Sequence, residues 1–286
     1  MKWKNRRASS NVEDRRGSGS GMGGIGTKGM FGGGLGIILI LIFALMGGDL
    51  GSILSPGITP QDPGGVYQGT PEEQELADFV SVVLADTEDA WTQIFREYNL
   101  KPYEKPTLVL FSGSVQSACG TAGSSTGPFY CPGDRKVYID LSFFQELSQR
   151  FGAPGDFAMA YVVAHEVGHH VQTLLGTSQQ VQDLRGQLSP TEFNKYLVML
   201  ELQADYYAGV WAKYAASQGY LEAGDVEEAL NAANAIGDDR LQKNAQGYAV
   251  PDSFTHGTSA QRMKWFKLGF QYGDFEHGDT FNTNDL

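Results

Sequence analysis

Residues 156–175 read Asp156-Phe-Ala-Met-Ala-Tyr-Val-Val-Ala-His165-Glu-Val-Gly-His169-His-Val-Gln-Thr-Leu-Leu175, and Gly176 follows. The stretch is mostly apolar, contains no proline and stops at a glycine. It predicts a long helix buried in the body of the protein. Within it lies His165-Glu166-Val167-Gly168-His169. Residues four apart on a helix differ by about 40° in azimuth, so His165 and His169 face one point. Two imidazoles so placed can share one Zn²⁺ at about 2.0–2.1 Å each. Glu166 stands about 100° round the helix, where it flanks the metal rather than binding it. That is the position for a general base acting on water that the metal has acidified towards a pKa of about 7. Chance supplies this pattern in about one per cent of chains of this length, so the five residues alone are a hint. Their setting adds weight, because two His and a Glu in an apolar helix are costly unless they have partners. The plain alternative is that all three are satisfied polar residues of the core or surface.

A catalytic zinc needs a third protein ligand and an open position for water. Glu201-Leu-Gln-Ala-Asp205 follows in the next long helical pattern, and its two acids are again four apart. Glu201 can reach the metal, and Asp205 can accept the second ring N–H of a ligand histidine. The competing reading is a solvated acidic face, against which stands the apolar Tyr206-Tyr-Ala-Gly-Val-Trp211 that continues the helix. Three histidines remain. His170 points about 100° away from His169 and is not expected to be a ligand. His277 lies in a Gly/Asp-rich tail and should be exposed. His256, in a turn-like Thr-His-Gly before a helix, is a candidate hydrogen-bond donor to the oxyanion of a tetrahedral intermediate.

Around these motifs the chain reads as a mainly helical α+β domain with a small β-sheet early in it. Thr70-Pro-Glu-Glu73 and Ser189-Pro-Thr-Glu192 are capping boxes with proline at the first helical position. The helix after Thr70 carries apolar residues at helical spacing to Tyr98, and the one after Ser189 runs to Ser217. Further helices are expected at 141–151, from Asp225, and over 258–272. Thr107–Phe111 and Lys136–Asp140 read as strands, the second as an edge near Val137–Asp140 that could pair with an extended peptide. The loop between them holds both cysteines, Cys119 and Cys131. In an oxidising compartment they would form a disulfide worth about 3 kcal/mol. The other reading is two buried free thiols.

The 286 residues carry a net charge of −12, unevenly spread. Residues 1–30 hold seven Lys/Arg against Glu13 and Asp14, which leaves 14 basic and 31 acidic residues, or −17, for the rest. So acidic a body excludes nucleic acid as the main partner, and it could weakly steer basic substrates inward. Glycines crowd residues 17–36, and the uncharged run from Met30 to Gly48 is 19 residues long, with a strictly apolar part at Leu35–Met46. It is just long enough to cross a bilayer, and the basic residues before it would keep the N-terminus cytoplasmic. A buried core helix and a cleaved signal peptide are the alternatives. The expected organisation is a basic, Gly-rich cytoplasmic tail (1–34), one transmembrane helix (35–54), a linker (55–69) and an extracytoplasmic domain (70–286) attached to the cell membrane.

At these residues the sequence resembles a known group. The HExxH run with Glu201-Leu-Gln-Ala-Asp205 resembles the gluzincin metallopeptidases, and implies a zincin-like fold with His165, His169 and Glu201 on one Zn²⁺. Thr255-His-Gly-Thr-Ser-Ala-Gln-Arg262 is similar to the Thr-His-Pro…Arg segment of the CAAX-prenyl-type membrane endopeptidases. This implies that His256 stabilises the transition state and Arg262 steadies the ligand Glu201, with Gly257 in place of the usual proline. Over nearly its whole length, including Tyr130-Cys-Pro-Gly-Asp-Arg-Lys-Val-Tyr-Ile-Asp140, the chain resembles the bacterial neutral zinc metallopeptidases. The resemblance implies a zinc-dependent hydrolase acting on a peptide or protein substrate. A non-catalytic zinc-binding module and a zinc hydrolase of a non-peptide amide in the cell envelope are the rival functions.

Overall fold

Thr70 begins the first long helix as its sequence requires. In the computed structural model, which describes residues 1–17 and 69–283, Thr70 accepts from the Glu73 amide and the Glu73 carboxylate accepts from the Thr70 amide. The helix, α1, spans Pro71–Glu97 and buries Phe79, Val80, Val83, Leu84, Trp91 and Phe95 along one face. A four-stranded sheet packs beside it. Its strands are β1 (Val12–Asp14), β2 (Thr107–Phe111), β5 (Phe129–Cys131) and β6 (Lys136–Asp140), in the order β1-β2-β6-β5. β1, β2 and β6 run parallel, with Leu108 opposite Val137 and Leu110 opposite Ile139, and β5 is antiparallel to β6. A hairpin of β3 (Ser114–Ser117) and β4 (Gly120–Gly123) forms a separate two-stranded sheet.

The alternation of side chains along the strands decides which core each face joins. Leu108, Leu110, Val137 and Ile139 enter the main core with the helices. Val109, Phe111 and Tyr138 face the other way and are covered by Val115 and Ala122 of the hairpin. A disulfide joins Cys119, in the hairpin turn, to Cys131 at the end of β5.

The remaining elements are helical: α2 (Ser142–Gln149), α3 (Asp156–Leu175), α4 (Thr177–Asp183), α5 (Pro190–Ser217), α6 (Asp225–Ala235), α7 (Asp238–Gln246) and α8 (Ser259–Tyr272). The stretch quoted at the outset is α3, ended by Gly176 at φ 86°. It packs against α1, α5 and α6 at the centre of the molecule. A side chain at Gly168 would bring a Cβ within 3.0 Å of the Ala204 carbonyl oxygen, so the glycine lets α3 and α5 approach closely. Gly209 and Gly269 do the same between α5 and α8, where an added Cβ would overlap backbone. These contacts set Glu201 and Arg262 beside the histidines.

Two expectations are corrected. Residues 1–17 are not a separate tail. β1 is hydrogen-bonded into the central sheet, and the Met1 amine lies 2.6 Å from Asp156 and 3.3 Å from Asp225. Arg6 pairs with Asp86, Arg7 with Glu88 and Asp89, and Arg16 donates to the Glu73 carbonyl. Of the basic residues that read as a cytoplasmic flank, Lys4, Arg6 and Arg7 are therefore counter-ions of acids on α1, Arg15 and Arg16 pair with Glu13 and Asp14 of β1, and Lys28 lies outside the described residues. A strand bonded into the sheet is part of the domain, so residues 1–17 lie on the body rather than apart from it. The expected span at 35–54, with residues 18–34 and 55–68 around it, lies outside the described residues. Among the described residues no helix is long and apolar enough to cross a membrane. The second correction concerns the expected edge at Val137–Asp140. β6 is paired on both sides over Lys136–Tyr138, where the edge belongs to β5, a three-residue strand that sequence alone does not separate from its loop; Ile139 and Asp140 pair with β2 alone.

Candidate metal centre

Three side chains converge where α3 crosses α5. His165 Nε2 lies 3.2 Å from one oxygen of Glu201, and His169 Nε2 lies 3.4 Å from the other. One ligand atom from each residue falls within 4.8 Å of the others. The opposite ring nitrogens are each held. His165 Nδ1 is 2.9 Å from Asp205 Oδ1, and His169 Nδ1 is 2.9 Å from Gln172 Oε1. A carboxylate can only accept, so Asp205 fixes the proton on Nδ1 and turns the Nε2 lone pair of His165 towards Glu201. Two imidazoles and one carboxylate, each histidine with an outer partner, are a donor set suited to catalytic Zn²⁺.

A buried network supports the ligands. Arg262 donates from Nε to Asp205 Oδ2 at 2.8 Å and from Nη2 to Oδ1 at 3.0 Å, and reaches Tyr161 Oη at 3.2 Å. Tyr161 in turn donates to Asp205. Burial disfavours the Asp205 anion, but Arg262 and His165 outweigh it and hold its pKa below the usual range. The same contest holds Glu201 well below that range, with burial opposed by His169, His256 and His165. The resemblance implied that Arg262 steadies Glu201. Its polar contacts go instead to Asp205, Tyr161, the Ile236 carbonyl and, at 3.4 Å, Nδ1 of His165. Any steadying of the ligands by Arg262 therefore passes through Asp205 and His165.

Glu166 and His256 line the same cleft as these three candidate donors. Burial pushes the Glu166 carboxyl pKa up. His256 is buried, with Nδ1 3.1 Å from Asp238 Oδ1. The other Asp238 oxygen accepts from the amides of Thr255, His256 and Gly257 at 2.7, 2.7 and 3.2 Å. Gly257 has φ +86°, a conformation closed to proline, so this turn differs in kind from the Thr-His-Pro form. Burial opposes protonation of His256, but the Asp238 and Glu201 charges prevail and raise its pKa.

His170 points away from the centre, to Tyr130 Oη at 3.1 Å and the Glu104 carbonyl at 2.6 Å. His277 is exposed and paired with Asp274. Sequence reasoning missed Asp238, Gln172 and Tyr161. Gln172 carried one signal, its position three residues after His169, on the adjoining turn of the same helix. Asp238 carried none, since it reads as part of an acidic turn.

The cleft holds about 1080 Å³ of space, counting what is open to solvent. Phe129, Tyr130 and Pro132, from edge strand β5 and the turn after it, also line it. A second acidic cluster, Asp156, Asp225 and Glu228, lies elsewhere and is accounted for. The Met1 amine bridges its two aspartates, and Glu228 accepts from the Phe157 amide at the start of α3.

A family model described as "Putative neutral zinc metallopeptidase" matches residues 1–281. The chain is 50% identical over 290 residues to the protein YpfJ of Escherichia coli (strain K12), covering 99% of this chain and 100% of that one. It is 48% identical over 198 residues to the protein Rv2575 of Mycobacterium tuberculosis (strain ATCC 25618 / H37Rv), covering 65% of this chain and 66% of that one. Both relatives are described as uncharacterized proteins. No solved structure matches.

Proposed function

Because this chain belongs to the "Putative neutral zinc metallopeptidase" family, we propose that it hydrolyses peptide bonds with one Zn²⁺ held by His165, His169 and Glu201. The observation that carries this reading is the convergence of those three donors in an open cleft that Glu166 also lines. Zinc, when bound, supplies a Lewis acid that polarises the substrate carbonyl and acidifies water.

The remaining work falls to the chain's own side chains. Glu166, with a pKa raised by burial, takes a proton from the attacking water and returns it to the leaving amine. His256 is held by Asp238 through Nδ1, which leaves Nε2 to donate to the developing oxyanion. The Asp238 and Glu201 charges raise its pKa, which favours the protonated form that such a donor needs. Arg262 and Asp205 keep His165 in the tautomer that a metal requires. We further propose attachment to a membrane through residues 35–54, supported by the apolarity of that stretch alone, with residues 1–17 on the same side as the catalytic body.

Glu166→Gln tests the mechanism. The variant should keep its zinc, measured by metal analysis of the purified protein, and lose casein or peptide hydrolysis by about 10²-fold or more. Full activity in that variant would sink the assignment.

A further inference from the structure

The cleft is lined along α3 from Tyr161, four residues before His165, to Thr173, four residues after His169. Twelve helical rises of about 1.5 Å make that stretch about 18 Å long. That accommodates about five residues of extended peptide at about 3.3 Å each.

Phe143, Phe151, Ile236 and Leu241 line the same cleft. The Phe143 and Phe151 ring centroids lie 6.4 Å apart, and the Ile236 carbonyl is tied to Arg262. Gly127, Pro128, Ser178 and Leu200 line it too, with Thr173 Oγ1 3.4 Å from Ser178 Oγ. Among the described residues, every charged group lining the cleft belongs to the metal centre or its support: His165, Glu166, His169, Glu201, His256 and Arg262. Arg262 is already engaged by Asp205. The acidity of the body does not extend into this cleft, so a charged substrate side chain would find no counter-ion there and would lose its hydration.

We infer that the substrate is an extended polypeptide with a bulky, uncharged apolar side chain beside the scissile bond, seated among Phe143, Phe151, Ile236 and Leu241. This rests on the peptidase reading and deepens it. Each apolar methylene seated in such a wall is worth about 1–3 kcal/mol of discrimination, or about 10–200-fold. Selection of Leu, Phe or Met over Asp or Lys by at least about tenfold in kcat/KM is therefore expected.

The experiment is cleavage of a randomised peptide library by the zinc-loaded full chain, repeated with Phe143→Lys and Phe143→Leu. Phe143 is only partly buried, so both variants should fold. Wild type and Phe143→Leu should cut beside bulky apolar residues. Phe143→Lys should move the preference towards Asp and Glu at that one position. Zinc-dependent cleavage indifferent to the flanking residue, or a Phe143→Lys profile identical to wild type, overturns this inference and leaves the peptidase reading standing. Absence of zinc-dependent cleavage of any peptide overturns both.

Discussion

The amide oxygen of Gln172 lies 2.9 Å from Nδ1 of His169, three residues earlier on the same helix. The amide nitrogen donates to the Leu200 carbonyl at 2.7 Å, on the neighbouring helix. One side chain thus sets the tautomer of a ligand on α3 and ties it to α5 just before Glu201. Outer partners of this kind typically govern metal affinity by about 10–100-fold. Gln172→Ala should weaken zinc binding by that factor, read by competition against a chromophoric chelator, while Gln172→Glu, which keeps an acceptor, should retain most of the affinity. Unchanged affinity in Gln172→Ala would show that His169 needs no such partner.

Arg262 and Asp205 form a fully buried ion pair. Removing one member leaves the other charged in the core, at a cost of about 3–5 kcal/mol. Arg262→Met should therefore destabilise the metal-free protein by about that amount in denaturant unfolding. Arg262→Met with Asp205→Asn should recover part of the loss, since no charge is then stranded. A double variant no more stable than Arg262→Met alone would refute the account of the pair.

These two residues also mark how far the sequence could be read. Helices α1, α3 and α5 were legible because their ends carry local chemistry, Thr70 with Glu73, Ser189 with Glu192, and Gly176 past Leu175. His165, His169, Glu201 and Asp205 were legible because spacing on a helix is a local property. Asp238 was not, because what makes it matter is three amides of a turn that begins 17 residues later. Strand β1 was not, since Val12-Glu-Asp14 is short and two-thirds charged, and its partner Leu108–Leu110 lies far along the chain. Glycine at 168 read as one more variable position of the motif, although it sets the α3–α5 distance.

His170 predicts a pH dependence separate from the zinc. Burial pushes its pKa from 6.5 down to about 4. Below pH 6.5 the unfolded chain takes up a proton that the folded one refuses, so stability falls between about pH 6.5 and 4 and is level beyond. The loss is about 3 kcal/mol in all. With zinc removed by chelation, the stability of wild type relative to His170→Gln should fall by most of that amount between pH 7.5 and 4.5. Parallel stability curves would mean that the folded protein accommodates a charged His170.

The N-terminal segment predicts the sidedness of the whole chain. Arg16 Nη1 donates to the Glu73 carbonyl at 3.1 Å, and Val12, Glu13 and Asp14 pair with Leu108, Val109 and Leu110. The two flanks of residues 18–68 therefore meet on the body. A hydrocarbon core about 30 Å thick takes about 20 apolar residues to cross, and the uncharged run of 19 residues suffices for one passage. One passage would carry β1 away from β2 and strip Glu88 of Arg7 and Ser9. Cysteines introduced at the exposed positions Ser10 and Gln218 should accordingly react with an impermeant maleimide from the same side of sealed membrane vesicles, provided the free thiols are read against the Cys119–Cys131 background. Labelling from opposite sides would mean that the β1–β2 pairing does not form in the membrane-attached protein. Loss of that pairing would also leave Leu108–Leu110 as an open parallel edge in the central sheet, a state the sheet's burial opposes.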